Sequence, residues 1–287
     1  MGIYKSEAGK AASLRLYDEQ MKKLNHSYKD VYVDTRFGRT HVIETGNLSG
    51  EPLLVFHGGN STTAYNLLQC RFLLEDFHIY GVDTIGHPGK SDEVSLSPRN
   101  YDYGKWASDV IQGLGYEAIR CFGGSFGGGI LAKLMCVGPE KVKRAVLIVP
   151  SGINNAFPLS TARMMVPLIK YCITRKEKYI RECALFMALE DKVLDEDTMA
   201  TVRDSFNNVK TKAVMPSNVS GKLMGRCKAP TLVIAGEKDC MFPAGKVLPR
   251  AKKIIPDCMV SMLKNSGHMH LLHDKEKAMI KEFLKDE

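Results

Sequence analysis

The chain has 287 residues, of which 44% are hydrophobic and 25% are charged. These values are typical of a globular protein and exclude a disordered, collagen-like or coiled-coil chain as the main state. The formal net charge of +8 is spread along the chain rather than clustered, so we expect no nucleic-acid partner.

The eight cysteines lie singly along the chain, without a C-x-x-C pair. The first ten residues contain charged side chains and no apolar core of a signal peptide. These two features predict reduced thiols in a cytoplasmic protein. No stretch approaches the roughly 18 uninterrupted apolar residues that a bilayer-crossing helix needs, so no membrane span is expected.

Short runs of apolar and β-branched residues, bounded by turn residues, predict strands along most of the chain. There are eight of them, at residues 30–34, 40–44, 52–56, 78–83, 118–122, 145–149, 231–235 and 259–263. The first two are too close for a crossover helix, so we expect an antiparallel hairpin at one edge of the sheet. The later strands alternate with helical patterns such as 126–137 and 272–284, which predicts a mainly parallel α/β sheet. Residues 6–24 resemble an amphipathic helix.

The alternation stops after residue 149 and resumes at residue 231. Between these points only helical spacing occurs, at 161–173, 176–189 and 196–208. We therefore predict a helical subdomain inserted after the sixth strand. Flexible methionine side chains can line an adaptable pocket, but we expect most of the methionines in this insert to form its own core.

The segment Gly123-Gly124-Ser125-Phe126-Gly127 has the pattern G-x-S-x-G between a predicted strand and a predicted helix. A sharp strand-to-helix turn needs glycines beside the serine and exposes the serine hydroxyl above the sheet. The helix that starts at Phe126 directs its free N–H groups towards a developing negative charge. The pattern predicts that Ser125 is a nucleophile.

A serine hydroxyl needs a base, and the base needs an acid that orients it. Asp239 follows the seventh strand and His268 follows the eighth, so both lie at the carboxyl edge of the sheet where α/β proteins place their sites. Glu237 is a rival acid, but it follows the strand end directly and should point away. For His270 and His273 we expect capping or surface roles rather than a metal site, because no matching ligand cluster occurs elsewhere.

The third strand ends in His57-Gly58-Gly59-Asn60. A strand that runs into such a loop brings bare backbone N–H groups close to the nucleophile, as in an oxyanion hole. We predict that the N–H groups of Gly59 and Phe126 are the donors, with Asn60 as the second candidate. His57 is expected to hold the loop rather than to transfer protons.

Together these segments resemble the α/β-hydrolase fold superfamily over essentially residues 29–285, and the loop Asp83–Ser91 is similar to that family's D-x-x-G-x-G-x-S loop. Residues 35–43 and the helix before them resemble the bacterial carboxylesterases that cleave naproxen esters. The resemblance implies a triad of Ser125, Asp239 and His268 and a helical cap over the site. It also implies no metal and no organic cofactor.

From the resemblance we expect an N-terminal helical extension at 1–28, an α/β-hydrolase core at 29–151 and 227–287, and a cap at 152–226. The expected activity is hydrolysis of small to medium apolar carboxylic esters through an acyl-enzyme, and a homodimer remains open. The same triad would also serve a carbon–carbon bond hydrolase or a peptidase like proline iminopeptidase. A slow-turnover ligand receptor of the same fold is the alternative from a non-enzyme class.

Overall fold

The computed structural model describes residues 2–155, 162–210 and 214–286. Its strands are β1 (Tyr28–Thr35), β2 (Gly38–Gly46), β3 (Glu51–Phe56), β4 (Phe77–Val82), β5 (Ile119–Gly124), β6 (Val142–Ile148), β7 (Thr231–Gly236) and β8 (Cys258–Leu263). Its α-helices are α1 (Glu7–Leu24), α2 (Thr63–Gln69), α3 (Asp102–Gly113), α4 (Phe126–Val137), α5 (Ala162–Thr174), α6 (Glu177–Ala188), α7 (Glu196–Asn208), α8 (Gly221–Met224), α9 (Ala244–Ile254) and α10 (Asp274–Lys285).

The eight strands form one sheet in the order β1-β2-β4-β3-β5-β6-β7-β8. β1 and β2 pair antiparallel at one edge, β2 is also antiparallel to β4, and every later pairing is parallel. The prediction of an eight-stranded, mostly parallel α/β sheet with an edge hairpin is therefore confirmed.

Helices cover both faces of the sheet because its central strands are apolar on both sides. Alternate residues of β3 point to opposite faces, with Leu54 and Phe56 in one buried cluster and Leu53 and Val55 in the other. α3, α4 and α9 pack on the first face, and α1, α2 and α10 pack on the second. The helical patterns in the sequence do not include α2, α3, α8 or α9. No helix within the described ranges is long and apolar enough to cross a membrane.

The chain between β6 and β7 contains helices and no strand within its described residues, as the spacing predicts. α5, α6 and α7 enclose a small core of their own that includes Tyr171, Ile180 and Met199. The expectation that most of the insert's methionines form this core is wrong. Met199 lies in it, whereas Met165 is 47% exposed. Met224 is buried in the main core and Met215 packs against that core. The predicted helix at 161–173 corresponds to α5, although residue 161 lies outside the described residues.

Helix α1 connects the core to the inserted helices. Tyr17 and Met21 are buried against the sheet, whereas its polar side reaches α7, where Ser13 donates to the carboxylate of Asp204 and Gln20 donates to Thr201. α7 is thereby fastened to the body of the protein. The sequence predicts helix α1 but gives no indication of its contact with α7, because the bonded residues are almost 200 positions apart in the chain.

Candidate active site

Two loops meet where the strand order reverses around β3. β3 and β5 are neighbours, and the chain leaves β3 towards β4 on one side but leaves β5 towards β6 on the other, which opens a crevice between their carboxyl ends. Phe56 at the end of β3 is in register with Gly123 on β5. The loop that begins at His57 therefore lies beside the turn that carries Ser125.

Ser125 occupies a strained turn between β5 and α4. Its φ is 51°, a value that L residues rarely adopt. The surrounding backbone holds this conformation, because the Ser125 N–H donates to the carbonyl of Ile148 at 2.9 Å and its carbonyl accepts from the N–H groups of Gly129 and Ser151, both at 3.1 Å. The strain exposes the hydroxyl of Ser125 in a fixed direction.

The glycines of this turn are required by close packing. A Cβ atom at Gly123 would lie 2.6 Å from the carbonyl oxygen of Gly127, and one at Gly127 would lie 2.7 Å from the carbonyl oxygen of His57. Both distances are far below a normal carbon–oxygen contact. α4 can therefore approach β3 and β5 closely only with glycine at both positions.

The structure brings Ser125, His268 and Asp239 together. The Oγ of Ser125 lies 2.9 Å from Nε2 of His268, and Nδ1 of His268 lies 2.8 Å from Oδ2 of Asp239. Because a carboxylate can only accept, Nδ1 carries the ring proton and Nε2 is left to accept a proton from the serine.

The carboxylate of Asp239 is held ionised although it is buried. Burial acts to raise its pKa, but the nearby His268 and the N–H groups of Phe242 and Met241 outweigh that effect and lower the pKa. Those N–H groups donate to Oδ1 at 2.9 and 2.7 Å. The other oxygen, Oδ2, remains available for His268.

The rival residues have other partners. The Oε2 atom of Glu237 accepts from the N–H of Asn265, so this carboxylate braces the loop without contacting the histidine. The half-buried His270 bonds through Nδ1 to the carbonyl of His268, and His273 caps α10. Within the described residues, no three His, Cys, Asp or Glu side chains are grouped to hold a metal ion.

The loop after β3 packs directly against the nucleophile turn. A Cβ atom at Gly59 would lie 3.3 Å from the Cβ of Phe126, which puts the backbone segments of the two proposed donors side by side. The N–H of Asn60 instead donates to Nδ1 of His87 at 3.4 Å. Gly59 therefore suits the donor role better than the backbone of Asn60.

His57 holds the same loop in place. Its Nε2 accepts from the N–H of Thr84 at 2.9 Å, and its Nδ1 lies 2.7 Å from the carbonyl of Gly58. Burial lowers the pKa of His57, which favours the neutral ring that this pair of bonds requires. The predicted loop-holding role agrees with these bonds.

A second histidine–aspartate pair, which the sequence analysis did not identify, lies beneath this loop. Nδ1 of His41 is 2.8 Å from Oδ2 of Asp83, and Nε2 is 2.7 Å from Oδ1 of Asp30. Since both ring nitrogens face carboxylates, both must donate and the ring is a cation. Burial acts to lower the pKa of His41, but the bonds and charges of Asp83 and Asp30 raise it overall.

The inserted helices contact the loop that carries the histidine. The N–H of Met269 donates to the carbonyl of Met187 near the end of α6 at 3.1 Å. Gly267 lies so close to that same carbonyl that no side chain fits. The position of His268 is thus coupled to α6, through residues that no sequence motif marks.

Comparisons with known proteins agree with this architecture. A family model described as the alpha/beta hydrolase fold matches residues 51–171. Carboxylesterase YbfK of Bacillus subtilis is 27% identical over 91% of this chain and 88% of its own length. The crystal structure of naproxen esterase from the same organism superposes with a TM-score of 0.81 at 22% identity and covers 97% of both chains. A 2-hydroxy-6-oxononadienedioate/2-hydroxy-6-oxononatrienedioate hydrolase of Cupriavidus pinatubonensis is 28% identical over 82% of this chain and 86% of its own length.

Proposed function

We propose that this protein, which has the α/β-hydrolase fold, is a serine carboxylesterase that hydrolyses small to medium apolar esters. The observation that supports the proposal is the hydrogen-bonded series from Ser125 through His268 to Asp239, with distances of 2.9 and 2.8 Å. The similarity to carboxylesterase YbfK along most of both chains supports the ester as the substrate class.

In the first half of the reaction, Oγ of Ser125 attacks the ester carbonyl while Nε2 of His268 takes the hydroxyl proton. Asp239 keeps the proton on Nδ1 and stabilises the imidazolium ring that forms. The tetrahedral intermediate collapses to the acyl-enzyme when His268 returns the proton to the departing alcohol. Water then attacks the acyl group by the same route in reverse and releases the acid.

The negative oxygen of the tetrahedral intermediate needs donors that are fixed beforehand. We assign this role to the N–H groups of Gly59 and Phe126, whose backbone segments pack together beside Ser125. A single donor of this kind is typically worth about 3 kcal/mol of barrier. The strained, braced turn at Ser125 keeps its part of this arrangement in place before the substrate arrives.

Carbon–carbon bond hydrolysis is the second candidate, because a relative at 28% identity is named as a hydrolase of 2-hydroxy-6-oxononadienedioate, a vinylogous diketone that has no ester bond to cleave. The peptidase alternative has less support. It requires acids in the insert that can hold a substrate amine, but Glu190 pairs with Lys192 at 2.6 Å and Asp191 pairs with Arg181 at 2.7 Å. Both carboxylates thus have a basic partner on the insert, whereas a third acid, Glu182 on α6, is solvent-exposed.

The test is turnover of p-nitrophenyl esters from acetate to decanoate by the wild-type protein and by Ser125→Ala. We expect many turnovers per chain that depend on Ser125, with an optimum at a short or medium chain length. A single burst without further turnover would contradict the proposal and favour the receptor. Absence of ester cleavage, together with cleavage of a vinylogous diketone, would favour the carbon–carbon hydrolase.

A further inference from the structure

Helix α5 presents its apolar face to solvent. Met165, Val166, Ile169 and Ile173 are each between 47% and 77% exposed. Their spacing places them on one face of the helix, opposite the buried Tyr171. An outward stripe of this kind reverses the usual orientation of a surface helix, whose apolar side faces the core.

The inner side of α5 is fixed, so the outward orientation is a property of the fold. The ring of Tyr171 belongs to the small core of the insert, and its hydroxyl donates to Oδ1 of Asn207 near the end of α7 at 2.7 Å. α7 is in turn fastened to α1 by Asp204 and Thr201. Rotating the apolar stripe inward would break these contacts.

Basic side chains flank the stripe. Residues 163–178 contain five basic residues and one acid, and the acid, Glu177, is paired with Arg203 at 2.8 Å. Arg163 and Lys170 lie along one side of the helix. Arg175 and Lys176 follow its end, where the guanidinium of Arg175 lies 5.7 Å from the centre of the Tyr171 ring. All four basic residues are exposed. Apolar residues bordered by cations are typical of helices that lie in the surface of an anionic bilayer.

We propose that α5 docks the protein onto an anionic lipid surface, with Met165, Val166, Ile169 and Ile173 among the acyl chains and the basic residues against the headgroups. A second copy of this chain fits the same face less well. A twofold contact through α5 would bring two sets of cations together, whereas anionic headgroups neutralise them. The proposal concerns binding and does not depend on the esterase activity.

The test is co-sedimentation of the full chain with vesicles of equal parts phosphatidylglycerol and phosphatidylcholine, or of phosphatidylcholine alone. We expect the protein to bind the anionic vesicles and this binding to weaken as salt is added. Binding to the neutral vesicles should be much weaker. Ile169→Ser with Ile173→Ser should lower the affinity about tenfold or more, since two exposed side chains lose their apolar surface. Lys170→Gln should lower it about fivefold.

Leu48→Ser is the matched control. Leu48 is 67% exposed in the turn before β3, at the opposite edge of the sheet from the candidate active site, so this variant should bind as the wild type does. Thermal unfolding of each variant checks that it is folded. Ser125→Ala should bind the anionic vesicles as the wild type does, whether or not the proposed esterase activity is correct. Equal binding by the wild type and the double variant would overturn the proposal. A dimer in sedimentation velocity that the double variant abolishes, without vesicle binding, would assign the face to a second copy.

Discussion

Two histidine–aspartate pairs in this protein have the same bond at Nδ1 of the histidine and different partners at Nε2. His268 with Asp239 and His41 with Asp83 both have an Nδ1 to Oδ2 distance of 2.8 Å, and both carboxylates are fully buried. The remaining nitrogen of His268 faces the hydroxyl of Ser125, whereas that of His41 faces a second carboxylate. The second partner therefore decides whether such a pair can act as a base or is a fixed ion pair.

Solvent access separates the two pairs as well. The ring of His268 keeps some exposure, while that of His41 has none. A base must exchange its proton with substrate and water, which a fully enclosed cation cannot do. His41 instead braces Asp83, whose carboxylate also accepts from the N–H of Lys90 at 2.9 Å. This bond helps to hold the loop after β4. The N–H of Thr84 in that loop donates to His57, which precedes the proposed oxyanion donor Gly59.

The same substitution in both histidines gives the largest expected contrast. His268→Gln should lower kcat for p-nitrophenyl butyrate by about 10⁶-fold, since a triad without its base retains only binding and oxyanion stabilisation. His41→Gln should change kcat far less, because this ring does not touch the reacting atoms. Steady-state kinetics of both purified variants checks the contrast, and similar losses in both would remove the distinction.

The two aspartates should differ by a smaller factor. Asp239→Asn should lower kcat by about 10⁴-fold, because the amide favours the wrong tautomer of His268. Asp83→Asn acts only through the loop and should keep most of the turnover. The measurement is kcat for each variant at one fixed, mildly alkaline pH. If Asp239→Asn lowered kcat only slightly, another acid would orient His268. A large loss of kcat in Glu237→Gln would then identify Glu237 as that acid.

Stability should show the opposite ranking. His41→Gln leaves the buried carboxylate of Asp83 without its cation and should reduce the free energy of unfolding by about 3 kcal/mol. His268→Gln, at a partly exposed ring, should reduce it by less than about 1 kcal/mol. Urea unfolding near pH 6 measures both. If His41→Gln were as stable as the wild type, the ion-pair assignment would be wrong.

The smallest effect concerns Asp30, the second carboxylate that contacts His41. The pKa of His41 is raised in the folded protein. The stabilisation from its charge is therefore fully present below the unfolded pKa of about 6.5 and is lost as the pH rises through the folded pKa. Asp30→Asn removes one of the groups that raise it, but Asp30 is 43% exposed, which limits the effect to about 1 kcal/mol or less. The stability gap between wild type and Asp30→Asn should therefore narrow from pH 6 towards alkaline pH. A gap that widened would contradict a charged His41.

The sequence predicted the parts of the site that depend on neighbouring residues. Ser125 is recognisable because its turn needs glycines within two positions on either side, and Asp239 and His268 because each follows a strand end. His41 and Asp83 are not recognisable in this way. They come from β2 and the loop after β4, and only the antiparallel pairing of those strands makes them neighbours.

Helix α5 shows a second kind of limit. The periodicity of its apolar residues predicts a helix, and α5 is observed within a residue of the expected bounds. Periodicity alone does not say which face is covered, however, and that depends on Tyr171 and its contact with α7. The hydrogen bond between Met269 and Met187 is likewise a product of tertiary packing.

The central claim is that Ser125 is activated by His268 and that His41 takes no part in the chemistry. The most direct test is intact-mass analysis, with peptide mapping, after reaction with a fluorophosphonate that modifies activated serines. We expect one adduct per chain, located on Ser125, in the wild type and in His41→Gln, and a very slow reaction in His268→Gln. An adduct on another residue, or a reaction that depended on His41 and not on His268, would contradict the account.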